Sequence, residues 1–218
     1  MGVMTSPASD SLKEIHIRLD QRVRSIDEPR WLSSRYAGQA DRTSLIVLYA
    51  FYYELARVRV AVTDQTMGQI RFQWWREALD EIGAGKVRQH DVVLALADQI
   101  QRERLRVTDL SSLVGRHEAA FLAQDRSLEP EDLLLSIAAR CLDVEAAFDE
   151  SIGSLAMEWA AMRRSETRSN LAARRKVTAA LRPAVAHLRL RYLWQRNPQP
   201  SAFNVRLSVL MAMLTGRV

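Results

Sequence analysis

Cysteine occurs once in the 218 residues, at Cys141, so no disulfide can close within the chain, and a reducing compartment is expected. Glycine (eight) and proline (six) are too scarce for a loop-rich sandwich or barrel. No run of about eighteen uncharged apolar residues exists, so no segment is expected to span a bilayer. The first twenty residues lack a basic stretch followed by an apolar one, and no secretory signal is expected. Four histidines, His16, His90, His117 and His187, are scattered with none at helical ligand spacing, which argues against a His/Cys metal site. Lysine is nearly absent: apart from Lys13, Lys86 and Lys176, every cation is arginine. No convincing period-two strand and no internal repeat is found.

What remains is helical. Hydrophobic residues at 48% and charged residues at 26% mark a globular chain, and the length suits one domain with a sizeable core. Residues 1–9 read as a flexible tail and 10–218 as one helical domain. Leu12, Ile15, Leu19 and Val23 follow helical spacing until Asp27-Glu28-Pro29 interrupts. A short element carries Arg30-Trp31-Leu32. A strong helix follows over about 43–62 with Leu45, Leu48, Tyr52 and Leu55 as its buried stripe. Asp64 caps the next helix, which Gly83 and Gly85 end. Further helices are predicted over about 91–101, 109–123, 130–142, 146–163, 171–196 and 203–214, with Pro183 kinking or dividing the 171–196 segment. Pro130-Glu131-Asp132 is a good start signal, with proline and acids in the first turn.

Residues 43–82 carry the most information. At about 100° per residue, Met67, Ile70, Trp74, Ala78 and Ile82 fall together, extended by Phe72, Trp75 and Leu79. That arc predicts a core helix with Arg71 inside it, and a buried arginine needs a partner such as Glu54.

The phrases LYAF (48–51), ELARVR (54–59) and MGQIRFQWWREAL (67–79) resemble the squalene/phytoene synthase family, as does RLSVLMAMLTGRV at 206–218. The resemblance is strong over about 30–100 and fainter over 130–218. It implies an all-α, single-domain isoprenoid-synthase-like fold. In that family two aspartate-rich helical motifs face each other and hold magnesium bridged to prenyl diphosphates. Carboxylate-bound cations are needed because ionising an allylic diphosphate develops negative charge on the leaving group.

The chain departs from the pattern at that point. Where the first acidic motif would fall stand Ala56-Arg57-Val58-Arg59-Val60, and where the second would fall, over 159–176, Glu166 is the sole acid among five arginines and a lysine. No metal ligands and no cofactor are expected, magnesium entering only if the chain is an active enzyme with displaced ligands. The resemblance is greater to a non-catalytic branch concerned with assembly of respiratory complex I.

Tyr49 and Tyr53 lie one turn apart on the face bearing Ala56, Arg57 and Val60, which lines the substrate cavity in the enzymes. With Arg57 and Arg71 they are the candidate residual ligand site, the alternative being that large side chains fill a vacated cavity. Arg57 and Arg59 can bind a diphosphate or lipid headgroup without metal, or form structural ion pairs. Arg163, Arg164, Arg168, Arg174, Arg175 and Lys176 are the candidate patch for a membrane or an acidic partner, against the plainer reading of a solvated surface. Trp74-Trp75 and Cys141 read as core. A net charge of +5 permits nucleic acid, an anionic membrane or an acidic small molecule, but no nucleic-acid-binding motif is evident and none is expected to bind. The expectation is a cytoplasmic binding protein, peripheral on the inner membrane, with complex I subunits or assembly intermediates as partners and contact with anionic membrane or prenyl lipid. The alternative is an active head-to-head prenyl transferase.

Overall fold

A computed structural model describes residues 7–164 and 170–218. The all-α class holds: among the described residues there is no strand, only one isolated antiparallel bridge between Lys176 and Arg217.

Helix α1 (Pro7–Ile26) starts inside the stretch read as a tail and buries Ile15, Leu19 and Val23 at i, i+4 and i+8. Asp27 ends it and caps α2 (Glu28–Ser34): its Oδ1 accepts from the Arg30 N–H at 3.0 Å, with Pro29 in the first turn. Helix α3 (Gln39–Ala61) is the axis of the fold. Nearly every residue from Ser44 to Leu55 is buried, because α1, α2 and four later helices pack around α3.

Asp64 caps α4 (Gln65–Gly83) by accepting from Met67 N–H at 2.8 Å, as the sequence predicts. The buried face of α4 is rotated from the expected one. Gly68, Phe72, Trp75, Ala78 and Leu79 face inward, whereas Met67 is 51% and Ile70 56% exposed and Arg71 is exposed. The apolar arc is wider than any one neighbour can cover, and the close approach of α6 (Val107–Leu122) decides which part is used. A Cβ on Gly68 would sit 2.2 Å from the Phe121 ring, so the glycine admits that contact. Trp75 is core, edge-on to Phe51 at 5.3 Å; Trp74 is half-buried under the Arg88 guanidinium.

Helices α5 (Asp91–Gln101), α7 (Glu131–Cys141) and α8 (Glu150–Arg163) fall close to their predicted spans. The expected helix over 171–196 does not. Residues 170–177 run without helix, bridged at Lys176 to Arg217, and helix resumes only in the short α9 (Arg182–Val185). Pro183 therefore sits in a first turn, where its missing N–H costs nothing, instead of kinking a long helix. The bridge competes successfully because Arg175 and Val218 exchange two backbone hydrogen bonds, of 3.1 and 2.9 Å, and Val177 N–H bonds to the Gly216 carbonyl at 2.8 Å. Helices α10 (Leu190–Arg196) and α11 (Ala202–Thr215) follow. Gly216 ends α11 at φ +69, and a Cβ there would lie 2.8 Å from the Val177 carbonyl oxygen, so both conformation and space require glycine.

Candidate functional site

The C-terminal half of α3, the ends of α1 and α8 and the loop before α7 enclose a cavity of about 360 Å³. Its apolar walls are Ile26, Ala56, Val60, Ala160 and the rings of Tyr52 and Tyr53. Among the described residues its polar lining is six arginines (Arg22, Arg57, Arg59, Arg126, Arg163 and Arg164) against two glutamates, Glu129 and Glu131.

Behind the wall, one buried guanidinium organises the site. Arg30 donates through Nη2 to Glu131 Oε2 at 2.6 Å and through Nη1 to the Tyr53 hydroxyl at 2.6 Å, and lies 3.3 Å from Asp27. Its face stacks 4.7 Å from the Trp159 ring. Tyr52 donates its hydroxyl to the other Glu131 oxygen at 2.9 Å. Arg163, from the last turn of α8, donates to Asp27 Oδ2 at 2.6 Å, to the Tyr53 hydroxyl at 2.9 Å and to the Ile26 carbonyl at 3.1 Å. Tyr53 also donates to Asp27. Burial pushes the Asp27 pKa up, but the charges of Arg163 and Arg30, with the Tyr53 hydrogen bond, outweigh it and hold the carboxyl at about 2. Burial pushes the Tyr53 hydroxyl well above its ordinary range, so it stays protonated as a donor. This pairing is what allows Arg30 and Glu131 to be buried at all.

At the mouth, Glu129 serves Arg59 at 3.1 Å, Arg164 at 3.2 Å and Arg126 at 3.5 Å, while the buried Glu54 serves Arg22 at 2.5 Å and Arg57 at 3.5 Å. A divalent cation, which the family's chemistry implies, does not fit these residues. Positions 56–60 offer no carboxylate, Glu54 and Glu129 are each shared among guanidinium groups, Glu131 is held by Arg30 and Tyr52, and the lining arginines repel a cation. Among the described residues no cluster of three His, Cys, Asp or Glu side chains exists that could hold a metal.

Of the residues singled out from sequence, Tyr53 and Arg57 line the cavity. Tyr49 lies deeper, fully buried 5.2 Å from the Arg30 guanidinium, its hydroxyl without a partner. Arg71 belongs to a different groove of about 320 Å³ with Glu54, Arg57, Trp74 and His90, so the structure does not bring all four candidates together. Nor is the basic segment one patch. Arg163 and Arg164 turn inward because Asp27 and Glu129 draw them into the cavity. Arg175 pairs with Asp149 and Ser151, Arg174 stacks on Tyr192 at 4.5 Å, and Lys176 is held by the bridge to Arg217. Arg168 lies outside the described residues. Sequence reasoning missed Asp27, Arg30, Glu131 and Tyr52. The one available signal was that Asp27 and Glu131 both stand at helix starts, and it reads as capping and dipole chemistry without their burial.

Comparison with known proteins gives the site its context. The family description of squalene/phytoene synthase matches residues 23–155. A Bos taurus protein named "NADH dehydrogenase (ubiquinone) complex I, assembly factor 6" is 27% identical over 96 residues, covering 44% of this chain and 29% of its own length. The Homo sapiens protein of that name is 28% identical over the same share of each chain, and that of Rattus norvegicus 24% over 115 residues, covering 53% and 34%. The matches thus span about a third of the length of these curated relatives. No solved structure matches the chain significantly. With more than half of its residues matched, including α3 and the start of α7 at the cavity, the chain belongs to the squalene/phytoene synthase family.

Proposed function

We propose that this chain acts by binding rather than by prenyl transfer, and that it serves the assembly of respiratory complex I as a peripheral protein at the cytoplasmic face of the inner membrane. The observation that carries this reading is Arg57 and Arg59 standing in the cavity at the positions where the family's chemistry needs carboxylates. Ionisation of an allylic diphosphate without a metal clamp leaves the leaving-group charge to be met by guanidinium groups already engaged with Glu54 and Glu129. The relatives named as complex I assembly factors point to the process served. Subunits or assembly intermediates of that complex are the proposed partners. The cavity retains a fit for an anionic amphiphile, with apolar walls for a hydrocarbon and arginines for a phosphate, and it needs no metal for this.

Two measurements test the reading. Deleting the gene should lower assembled complex I in the membrane while leaving other respiratory complexes at their normal level. Purified protein given farnesyl or geranylgeranyl diphosphate with magnesium should release no pyrophosphate above background. Magnesium-dependent turnover abolished by a chelator would establish the prenyl transferase instead.

A further inference from the structure

Helix α11 is apolar on both sides, and the core covers only one. Val209 and Ala212 are buried, whereas Phe203, Leu207, Leu210, Met211 and Leu214 are exposed, from 37% at Leu210 and Met211 to 67% at Leu214 and 71% at Phe203. Their spacing, i, i+4, i+7, i+8 and i+11, sets them along one stripe about 100° wide. Elsewhere among the described residues no helix carries more than two exposed large apolar side chains, as α4 does with Met67 and Ile70; here five line a single helix. A contiguous bare stripe of this kind marks a surface built to be covered.

The edge of the stripe indicates what covers it. Leu207 and Met211 also line a groove of about 320 Å³ with Arg174, Arg189 and Arg196, and among the described residues no acidic side chain lines it. Arg174 stacks on Tyr192, and Arg189 donates to the Arg217 carbonyl at 2.9 Å; among the described residues none of the three arginines meets a carboxylate. Burial lowers the pKa of Arg189, and the neighbouring charges of Arg174 and Arg217 lower it further, a sign of like charges held close without compensation. A second copy of the chain would bring two such cationic edges together. A surface with an apolar interior and anionic phosphates at its boundary complements both features at once.

We propose that α11 is an interfacial helix that seats the protein on an anionic phospholipid surface. Phe203, Leu207, Leu210, Met211 and Leu214 enter the acyl boundary, and Arg174, Arg189 and Arg196 take the lipid phosphates. No helix among the described residues is long and apolar enough to cross a membrane, so the attachment made here is peripheral. This inference rests on the membrane part of the proposed function and names the element responsible.

The test uses the full chain and sedimentation with vesicles of phosphatidylcholine, alone or mixed with phosphatidylglycerol. The protein should bind the mixed vesicles, and added salt should weaken the binding. Phe203→Ser with Leu214→Ser should lower affinity at least about tenfold with little change in melting temperature, since both side chains are already in water. Arg189→Glu with Arg196→Glu should lower affinity for the mixed vesicles by a similar factor. A second readout does not depend on a loss of binding. Cys141 is buried, with its thiol pushed up to about 12, so in Leu214→Cys a polarity-sensitive thiol dye labels position 214 and should shift to the blue on mixed vesicles. Absence of vesicle binding, indifference to the Phe203/Leu214 pair, an unshifted dye, or a dimer that this pair dissociates without any lipid binding would each overturn the proposal. Complex I does not enter this assay: vesicle binding alongside normal complex I in the deletion strain would overturn the assembly reading alone.

Discussion

Arg30 and Glu131 lie 101 residues apart in the chain and meet at 2.6 Å at the cavity wall, both largely withdrawn from water. The pair ties α2 to α7, and through Tyr52 and Tyr53 it ties both to α3. Replacing Arg30 by methionine keeps most of the volume but leaves Glu131 without its countercharge in a dry site. A loss of about 3–5 kcal/mol is expected in denaturant unfolding. Glu131→Leu added to Arg30→Met should recover part of that loss. A cost for Arg30→Met below about 1 kcal/mol would mean that water reaches the pair.

The rotated face of α4 separates its two tryptophans. Trp75→Ala should cost about 3–5 kcal/mol, because the ring is buried against Phe51. Trp74→Ala should cost less, about 1–2 kcal/mol, since that ring is half-buried and its contacts with Arg88 are near solvent. Chemical denaturation of both variants checks the order; a reversed order would restore the face expected from sequence.

Gly68→Ala sets two effects against each other. Alanine favours the helix by about 1 kcal/mol, but the added methyl meets the Phe121 ring at 2.2 Å, and overpacking costs about 1–3 kcal/mol. A net loss of about 1 kcal/mol is expected, seen as a melting temperature lower by about 2–4 °C. Phe121→Leu in the same chain should relieve it. A more stable Gly68→Ala protein would contradict the close approach of α4 and α6.

Two histidines make stability depend on pH. His117 and His187 are fully buried with neither ring nitrogen hydrogen-bonded. Burial, helped by Arg59 beside His117 and Arg30 beside His187, holds both pKa values well below 6.5. The unfolded chain therefore takes up protons below about pH 6.5 that the folded chain refuses, and stability falls as pH falls. The slope should approach about 1.4 kcal/mol per pH unit for each histidine. Urea unfolding at a series of pH values measures it, and His187→Phe should remove one proton's worth of slope. A flat profile through pH 6 would mean the rings are charged or paired in the fold.

Asp27 adds a second, more acidic transition. Its folded pKa of about 2 lies below the ordinary 3.8, so its stabilisation is present above 3.8 and lost as pH falls toward 2. In Asp27→Asn the part of acid unfolding that lies between those two values should shrink, in acid titration followed by circular dichroism.

The sequence by itself determined whatever depends on neighbours three or four residues away. Asp64 caps α4 with the bond to Met67 that a capping residue makes, and α5 runs over the predicted 91–101, because capping and i→i+4 bonding are local chemistry. That 56–60 carry no acid is equally plain, since it needs only the residue types. The tertiary structure alone decided which part of α4's wide apolar arc is covered, because that depends on where α6 can approach Gly68. It decided that 170–177 forgoes helix, because its backbone partners are Gly216 and Val218 at the far end of the chain. It also divided the basic segment, drawing Arg163 and Arg164 into the cavity while Arg174 turned toward α11. A guanidinium is placed by the nearest carboxylate or ring in space, and sequence distance carries no record of which one that is.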